Sequence, residues 1–178
     1  MNEASKSTNT TGQPQSLASA SSSPSLPQTP EVKAFPLRVL LTVTTGRLLT
    51  QGKEPRDNGI GDLYDILGWM TNDSPMTHQL GRFGEECKPW LLKWFPEITP
   101  ALASMSSLDK WLHADKTGTG QEGIKMWLTE LKMLFPEIKD SYDVPRIPAE
   151  NHASKNPLEE LVEMRGGKTD GIVVLEMA

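Results

Sequence analysis

The sequence predicts an α+β fold: a small, mainly helical domain with one short sheet, preceded by a disordered tail. Residues 1–34 are dominated by Ser, Thr, Pro, Gln and Asn and contain no aromatic residue, so they lack the apolar surface that folding requires. From residue 35 to residue 178, apolar residues recur at helical spacing in several segments. Two short apolar runs, one near each end of this single domain, have the length of strands.

The predicted sheet pairs the two ends of the domain. Residues 38–44 are rich in apolar and β-branched side chains and stop at a Thr-Gly turn, as a strand does, and residues 47–50 would return as a second short strand. Residues 172–175 form an uninterrupted apolar run that is typical of a buried strand. We expect this run to pair with residues 39–43.

Amphipathic spacing predicts helices in five segments: 63–70, 80–94, 108–112, 124–135 and 158–165. Pro89 interrupts the second segment, and because proline removes a backbone donor and clashes with the preceding turn, we expect a kink or break near Lys88.

Polar residues at the helix starts predict caps. Ser107 would cap the third helix, Thr119 and Glu122 have the spacing of a capping box for the fourth, and Asn156 with Pro157 would begin the last. Residues 141–153, which contain two prolines, would form an extended connector before that helix. The last helix would turn three glutamates to solvent: Glu159, Glu160 and Glu163.

Phe-Pro-Glu-Ile occurs at residues 95–98 and again at residues 135–138, each time after an aromatic amphipathic helix. A shared helix-stop sequence explains both copies, and an internal duplication is the alternative, although helical arrays need about three repeats.

Charge and composition disfavour several classes of function. A net charge of −5 and a pI near 5.2 disfavour binding to nucleic acid and to anionic membranes. No apolar run approaches the roughly 20 residues that span a bilayer, and no signal peptide is visible. A single cysteine, Cys87, cannot form an internal disulfide and falls on an apolar helix face, where a thiol is unreactive. These features predict a soluble cytoplasmic protein.

Few residues have the pattern of a chemical site. The three histidines lack the spacing of a metal site, and the loop 115–120 has its glycines in the wrong order for a phosphate-binding loop, so we expect neither metal nor cofactor. A turn at Thr45 and Arg47 offers a hydroxyl and a guanidinium to a carboxylate or phosphate, although such an arginine is commonly just solvated. His78, at a helix start, is either a solvated polar residue or a general base or partner contact. With Arg82 these residues form the candidate binding surface.

Several stretches resemble a small domain of unknown function that many phage and prophage proteins carry. These are residues 41–49, 67–71, 77–80 and 87–92, and more weakly the helix at 158–161 with the run at 172–174. The resemblance covers about residues 37–95 and 156–176, with residues 99–138 as a helical insert. It implies an infected bacterial cell as the setting and assigns no activity or functional residues.

We therefore hypothesise a non-enzymatic phage accessory protein that binds a host protein or a small nucleotide-like ligand through Thr45, Arg47, His78 and Arg82. One alternative is a small hydrolase or transferase that uses His78 with Arg47 or Arg82, which would require a pocket that brings them together. The other is a virion assembly component, which would require an apolar patch and stable oligomers.

Overall fold

The computed structural model of this 178-residue chain describes residues 31–50 and 59–168. The described part is mainly helical with one small sheet, so the predicted α+β class is confirmed. The strands are Val32–Pro36 (β1) and Ser141–Pro145 (β2). The helices are Leu37–Thr45 (α1), Ile60–Thr71 (α2), Leu80–Trp94 (α3), Thr99–Ala103 (α4), Met105–Ala114 (α5), Gln121–Leu134 (α6) and Pro157–Met164 (α7).

The sheet joins the two ends of the helical domain, as predicted, but its strands are not the predicted ones. β1 pairs antiparallel with β2, so that Phe35 lies opposite Tyr142. Residues 172–175, the predicted partner strand, lie outside the described residues. The real partner lies in the stretch predicted as a connector, residues 141–153, and β1 begins at Val32, inside the predicted tail.

The predicted strand at residues 38–44 is wrong, because this stretch is helix α1. A short apolar run fits a buried strand and a buried helix equally well, and α1 is buried on almost every side. Its threonines are satisfied inside the helix: the Thr44 hydroxyl donates to the Leu40 carbonyl at 3.0 Å and the Thr45 hydroxyl to Leu41 at 2.6 Å. Packing in the core therefore overrides the strand preference of β-branched residues.

Residues 47–50 do not form the predicted second strand. The Leu49 N–H donates to the Thr42 hydroxyl at 3.1 Å, and Leu49 is buried, so this segment is held against α1 instead. Gly46 ends α1 in the left-handed conformation, with φ of 71°.

Of the kink or break predicted near Lys88, the break is wrong: α3 runs from Leu80 to Trp94 with Pro89 inside it. Proline inside a helix costs about 3 kcal/mol. Phe83, Cys87 and Leu91 are buried on both sides of Pro89, and their packing against the core offsets that cost.

The helix starts agree with the predictions only in part. Ser107 lies within α5, which begins after Ser104, and α6 begins after a left-handed Gly120 rather than at a capping box of Thr119 and Glu122. The start of α7 is confirmed, since Pro157 is its first residue and the Asn156 side chain accepts a hydrogen bond from the Leu158 N–H at 2.9 Å.

Both Phe-Pro-Glu-Ile segments end a helix with the same geometry, as the helix-stop interpretation predicts. Phe95 and Phe135 adopt φ of −128° and −132°, and each N–H donates to the carbonyl four residues earlier at 2.9 Å. The N–H groups of Ile98 and Ile138 then donate to those phenylalanine carbonyls at 3.1 Å, and both isoleucines are buried.

The core lies where α1 contacts α2, α3 and α4, while α5 and α6 pack against each other. Cys87 is fully buried in it, and this burial raises the pKa of its thiol to about 12, as expected for a structural cysteine. Across residues 31–50 and 59–168, none of the helices has both the length and the apolar character needed to cross a bilayer.

Candidate functional site

The structure divides the four residues of the predicted binding surface between two places. Thr45 and Arg47 lie at the end of α1, where Arg47 pairs with Asp109 of α5. His78 lies in the 3-10 turn Thr77–Gln79 that precedes α3, Arg82 lies in the first turn of α3, and both contact the segment that contains α7. The four residues therefore lie as two separate pairs, one at each place.

The end of α1 borders a groove of about 300 Å³ between α1, α2 and α3, which we call the α1–α3 groove. Its lining is mostly apolar and includes Leu48, Ile60, Leu63 and Leu80. Leu48 is 44% exposed, which is high for a large apolar side chain. An apolar groove of this kind suits a partner segment that buries apolar side chains.

Two glycines of α3, Gly81 and Gly84, form one wall of the groove. A Cβ atom added at either position would meet no other heavy atom within 4 Å, so neither glycine is needed for close packing inside the chain. Neither has a positive φ. Glycine inside a helix costs about 0.5–1 kcal/mol relative to alanine. The fold therefore gives no reason for them, whereas a ligand that approaches the α3 backbone would.

Charged side chains stand at the edge of the groove. Arg47 and Glu85 line it, and the hydrogen bonds from Arg47 lower the pKa of the Asp109 carboxyl. Both side chains of the Arg47–Asp109 pair are almost half exposed, so the pair is weak and can open to admit a ligand group. The Thr45 hydroxyl donates to a carbonyl of its own helix.

The second place is a polar cluster that holds α7 against α3, which we call the α7 clamp. Its central contact is the fork between Arg82 and Glu160: Nε donates to Oε1 at 2.8 Å and Nη2 to Oε2 at 3.0 Å. Glu160 is 7% exposed. The hydrogen bonds from Arg82, opposed by burial and aided by Gln79, lower the pKa of Glu160 to about 2.

Further donors and acceptors complete the clamp. Arg82 Nη1 donates to Glu86 at 2.9 Å and to the Ala153 carbonyl at 2.7 Å. The buried Gln79 amide donates to Glu160 at 2.8 Å, and His78 Nε2 lies 2.8 Å from the Pro157 carbonyl, to which it donates. Arg82 therefore uses four of its five N–H groups within the chain.

His152 fastens the segment that leads into α7. Its side chain is 7% exposed, with Nδ1 2.6 Å from Glu86 Oε2 and Nε2 3.0 Å from Asp73 Oδ2. The hydrogen bond from His152, followed by one from the Ser74 N–H, lowers the pKa of Asp73. The ring also contacts Phe83 edge-on, with centroids 4.8 Å apart.

The contacts of the clamp determine which side of α7 is buried. The prediction that Glu160 faces solvent is wrong, because Glu160 is the only buried residue of the helix. Leu158 and Val162, two positions to either side, point away from that contact, and Leu158 is 44% exposed. Leu161 is half-buried and Met164 is 64% exposed. The apolar residues of α7 thus remain at least partly exposed, while its glutamate at position 160 is buried.

A larger open cleft of about 460 Å³ lies beside α2, and most of its charged side chains have partners within the chain. Arg146 stacks on Trp69 at 4.4 Å from the ring centroid and pairs with Asn72 and Glu31. Asp65 accepts from Lys33 at 2.5 Å, and Asp73 is bound to His152. The Nε atom of Arg146 is buried without a hydrogen-bond partner among the described residues, so the cleft offers a ligand this donor and its aromatic wall.

The sequence prediction missed Gly81, Gly84, His152 and the buried role of Glu160. The two glycines could have been noticed in the sequence. Glycine destabilises a helix, so glycines inside a helical pattern that do not cap it indicate a packing or functional role. Glu160 and His152 left no such local pattern, since their partners lie more than sixty positions away in sequence. Among the described residues, no group of His, Cys, Asp and Glu side chains could hold a metal ion.

Comparison with known proteins gives a match for one part of the chain. Searches of the curated proteins and of the solved structures found no match. Residues 35–101 match a protein-family model, and this range contains the residues 37–95 of the predicted resemblance, whereas residues 156–176 lie outside it. It also contains every residue that lines the α1–α3 groove. The family that this part of the chain matches is described as a domain of unknown function, DUF7736.

Proposed function

We propose that the protein is a non-enzymatic binding module that holds an apolar segment of a host protein in the α1–α3 groove. The proposal includes its setting, the cytoplasm of a bacterium that carries a phage or prophage, for which the support is the resemblance of residues 41–49, 67–71, 77–80 and 87–92 to a domain of phage proteins. In this setting the protein acts by occupying its partner rather than by turnover.

One observation carries the proposal: an apolar groove built entirely from the family-matched residues, with two glycines in its wall that the fold does not require. Leu48 and the neighbouring apolar side chains supply the area for binding, and Gly81 and Gly84 let a partner backbone come close. Arg47 and Glu85 at the edge offer a partner segment one charge of each sign.

The alternative of an enzyme has less support. Arg82 is hydrogen-bonded to Glu160, Glu86 and a carbonyl, and His78 to another carbonyl, so a substrate would have to break the α7 clamp to reach them. Arg47, the third residue of that hypothesis, pairs with Asp109 at the groove. A small ligand at His78 and Arg82 would likewise have to break the α7 clamp.

Site-specific photo-crosslinking in bacterial cells tests the groove. A photoreactive residue at Leu48 is expected to give a discrete protein adduct, and the same residue at Met133 of α6, which is 77% exposed, serves as the control for exposure. Gly84→Phe, which fills the groove, should remove the Leu48 adduct. No adduct from Leu48, or an adduct that Gly84→Phe leaves unchanged, would overturn the proposal.

A further inference from the structure

The two sides of the α7 clamp come from different parts of the chain. Both side chains that donate to the Glu160 carboxylate, Gln79 and Arg82, lie inside the range 35–101 that matches the family model. Glu160 and the rest of α7 lie outside that range. The matched part therefore contains the donors for a carboxylate, and the carboxylate comes from elsewhere in the chain.

These donors are oriented by contacts that do not involve α7. The Gln79 amide oxygen accepts from the Met76 N–H at 3.0 Å, so the amide nitrogen faces Glu160, to which it donates at 2.8 Å. Arg82 Nη1 donates to Glu86 Oε1 at 2.9 Å, one turn along the same helix, which leaves Nε and Nη2 as the fork that faces the carboxylate. A site whose donors are already oriented loses little conformational entropy when it binds a carboxylate.

Apolar burial holds α7 in place only in part. Glu160 is its only buried residue, Leu161 and Val162 are half-buried, and Leu158 and Met164 are 44% and 64% exposed. An isolated helix of eight residues is unstable in water, so α7 depends on its contacts with the rest of the chain. Replacement of Glu160 by another carboxylate would therefore release the helix.

We infer that the start of α3 is a binding site for an acidic side chain of a partner protein, and that Glu160 occupies this site within the chain. The partner segment that fits is a short helix with a glutamate as its fourth residue, because Glu160 reaches the site from that position of α7. Two carboxylates cannot use the Arg82 fork at once, so α7 and the partner segment exclude each other. The inference does not rest on the proposed function, because the α1–α3 groove is lined by other residues of α3.

Occupation of the site by Glu160 sets the apparent affinity for a partner. A partner binds only those molecules in which α7 is released, so its apparent Kd is raised by the inverse of that fraction. Loss of the Glu160 carboxylate increases the fraction and should strengthen binding. A clamp with a purely structural role predicts no binding of an added acidic segment in either case.

Fluorescence anisotropy with a labelled peptide tests the inference. The probe has the sequence of residues 154–165 and is added to the full chain. Glu160→Ala, which removes the internal carboxylate and keeps the donors, should bind the peptide at least about tenfold more tightly than the wild type does. Glu159→Ala, which changes an exposed glutamate of the same helix, should bind it no more tightly than the wild type.

Further variants show whether the peptide occupies the Arg82 fork. Arg82→Ala, added to the Glu160→Ala chain, should abolish binding, and so should Glu160→Ala in the peptide itself. Arg47→Ala, which removes an exposed arginine at the α1–α3 groove, should leave the affinity of the Glu160→Ala chain for the peptide unchanged.

Hydrogen exchange in the wild type makes the test independent of how well any variant folds. It is measured by NMR on an isotope-labelled chain with excess unlabelled peptide. Exchange of the amides of residues 157–164 should become at least about tenfold faster while α1 stays protected, because the peptide takes the place of α7. Equal affinity of the wild type and Glu160→Ala for the peptide, binding that survives Arg82→Ala, or α7 exchange that the peptide leaves unchanged would each overturn the inference.

Discussion

Helices α1 and α7 contain similar proportions of apolar residues but are held in opposite ways. In α1, Leu40 and Leu41 are fully buried and the helix lies at the centre of the core. In α7 the buried residue is Glu160, and the leucines remain at least partly exposed. Burial of apolar surface therefore stabilises α1, whereas charged hydrogen bonds position α7. The comparison distinguishes a helix whose packing forms the core from a helix that polar contacts hold at the surface.

The largest expected effect tests this contrast with one substitution in two places. Leu40→Ala should lower the free energy of unfolding by about 2–5 kcal/mol, because it leaves a cavity in the core. Leu158→Ala in α7 should change it by less than about 0.5 kcal/mol, since the side chain is exposed. Urea unfolding monitored by tryptophan fluorescence measures both. Equal losses for the two variants would break the comparison.

The second effect is local. Arg82→Ala removes the donors that hold Glu160, and a charged hydrogen bond of this kind contributes about 1.5–3 kcal/mol. Amide hydrogen exchange in residues 157–164 should then become at least about tenfold faster, while α1 stays protected. Arg47→Ala, which removes an exposed pair, is the matched control and should leave α7 exchange unchanged. Faster exchange in both helices would mean that the clamp supports the whole fold.

The third effect depends on pH. Folding lowers the pKa of Glu160 from about 4.5 to about 2, so its charge contributes stability that is complete above pH 4.5. That stability is lost as pH falls from about 4.5 towards about 2, because the carboxylate then gains a proton. Amide chemical shifts of α7 should change over this range in the wild type. In Glu160→Gln they should show much less change, and an identical response in both would exclude Glu160 as the cause.

Only some of the elements and contacts that these tests probe could be predicted from the sequence. The spacing of Leu63 to Met70 and of Ile124 to Leu134 marked α2 and α6, because one face of each helix is buried and the other is solvated. In α1 nearly all faces are buried, so no periodicity distinguishes helix from strand. The clamp joins Arg82 to Glu160 across 78 positions, and a contact at that separation leaves no local pattern.

The candidate site shows the same limit. The turn at Arg47 was visible because Thr-Gly-Arg has the residue types of an anion contact, and the structure places it at the edge of the groove. His78 was placed at a helix start from its sequence, and the structure has it in the turn Thr77–Gln79 that leads into α3. Whether a ligand reaches His78 or Arg82 remains a prediction. What sequence could not show was that Arg82 is already occupied, since this depends on where α7 packs.

The smallest expected effect concerns α3, the helix that packs against α1 and holds α7 through Arg82. Gly84→Ala should stabilise the protein by about 0.5–1 kcal/mol, because alanine favours the helix and its Cβ atom meets open space. Gly59→Ala is the opposite control: at φ of 77°, its Cβ would lie 2.8 Å from the Thr50 backbone, so stability should fall. Thermal unfolding distinguishes the two. A destabilised Gly84→Ala would show that this glycine serves the fold.

The two Phe-Pro-Glu-Ile segments have a consequence for protein engineering. They stop α3 and α6 with matching backbone angles and matching pairs of hydrogen bonds, although the helices sit in different surroundings. Four residues thus encode a portable helix terminator: phenylalanine leaves the helical conformation, proline blocks its continuation, and the isoleucine anchors the exit in a core. Grafted after an amphipathic helix of a designed bundle, with a buried slot for the isoleucine, the segment should fix both where the helix stops and how the chain leaves it.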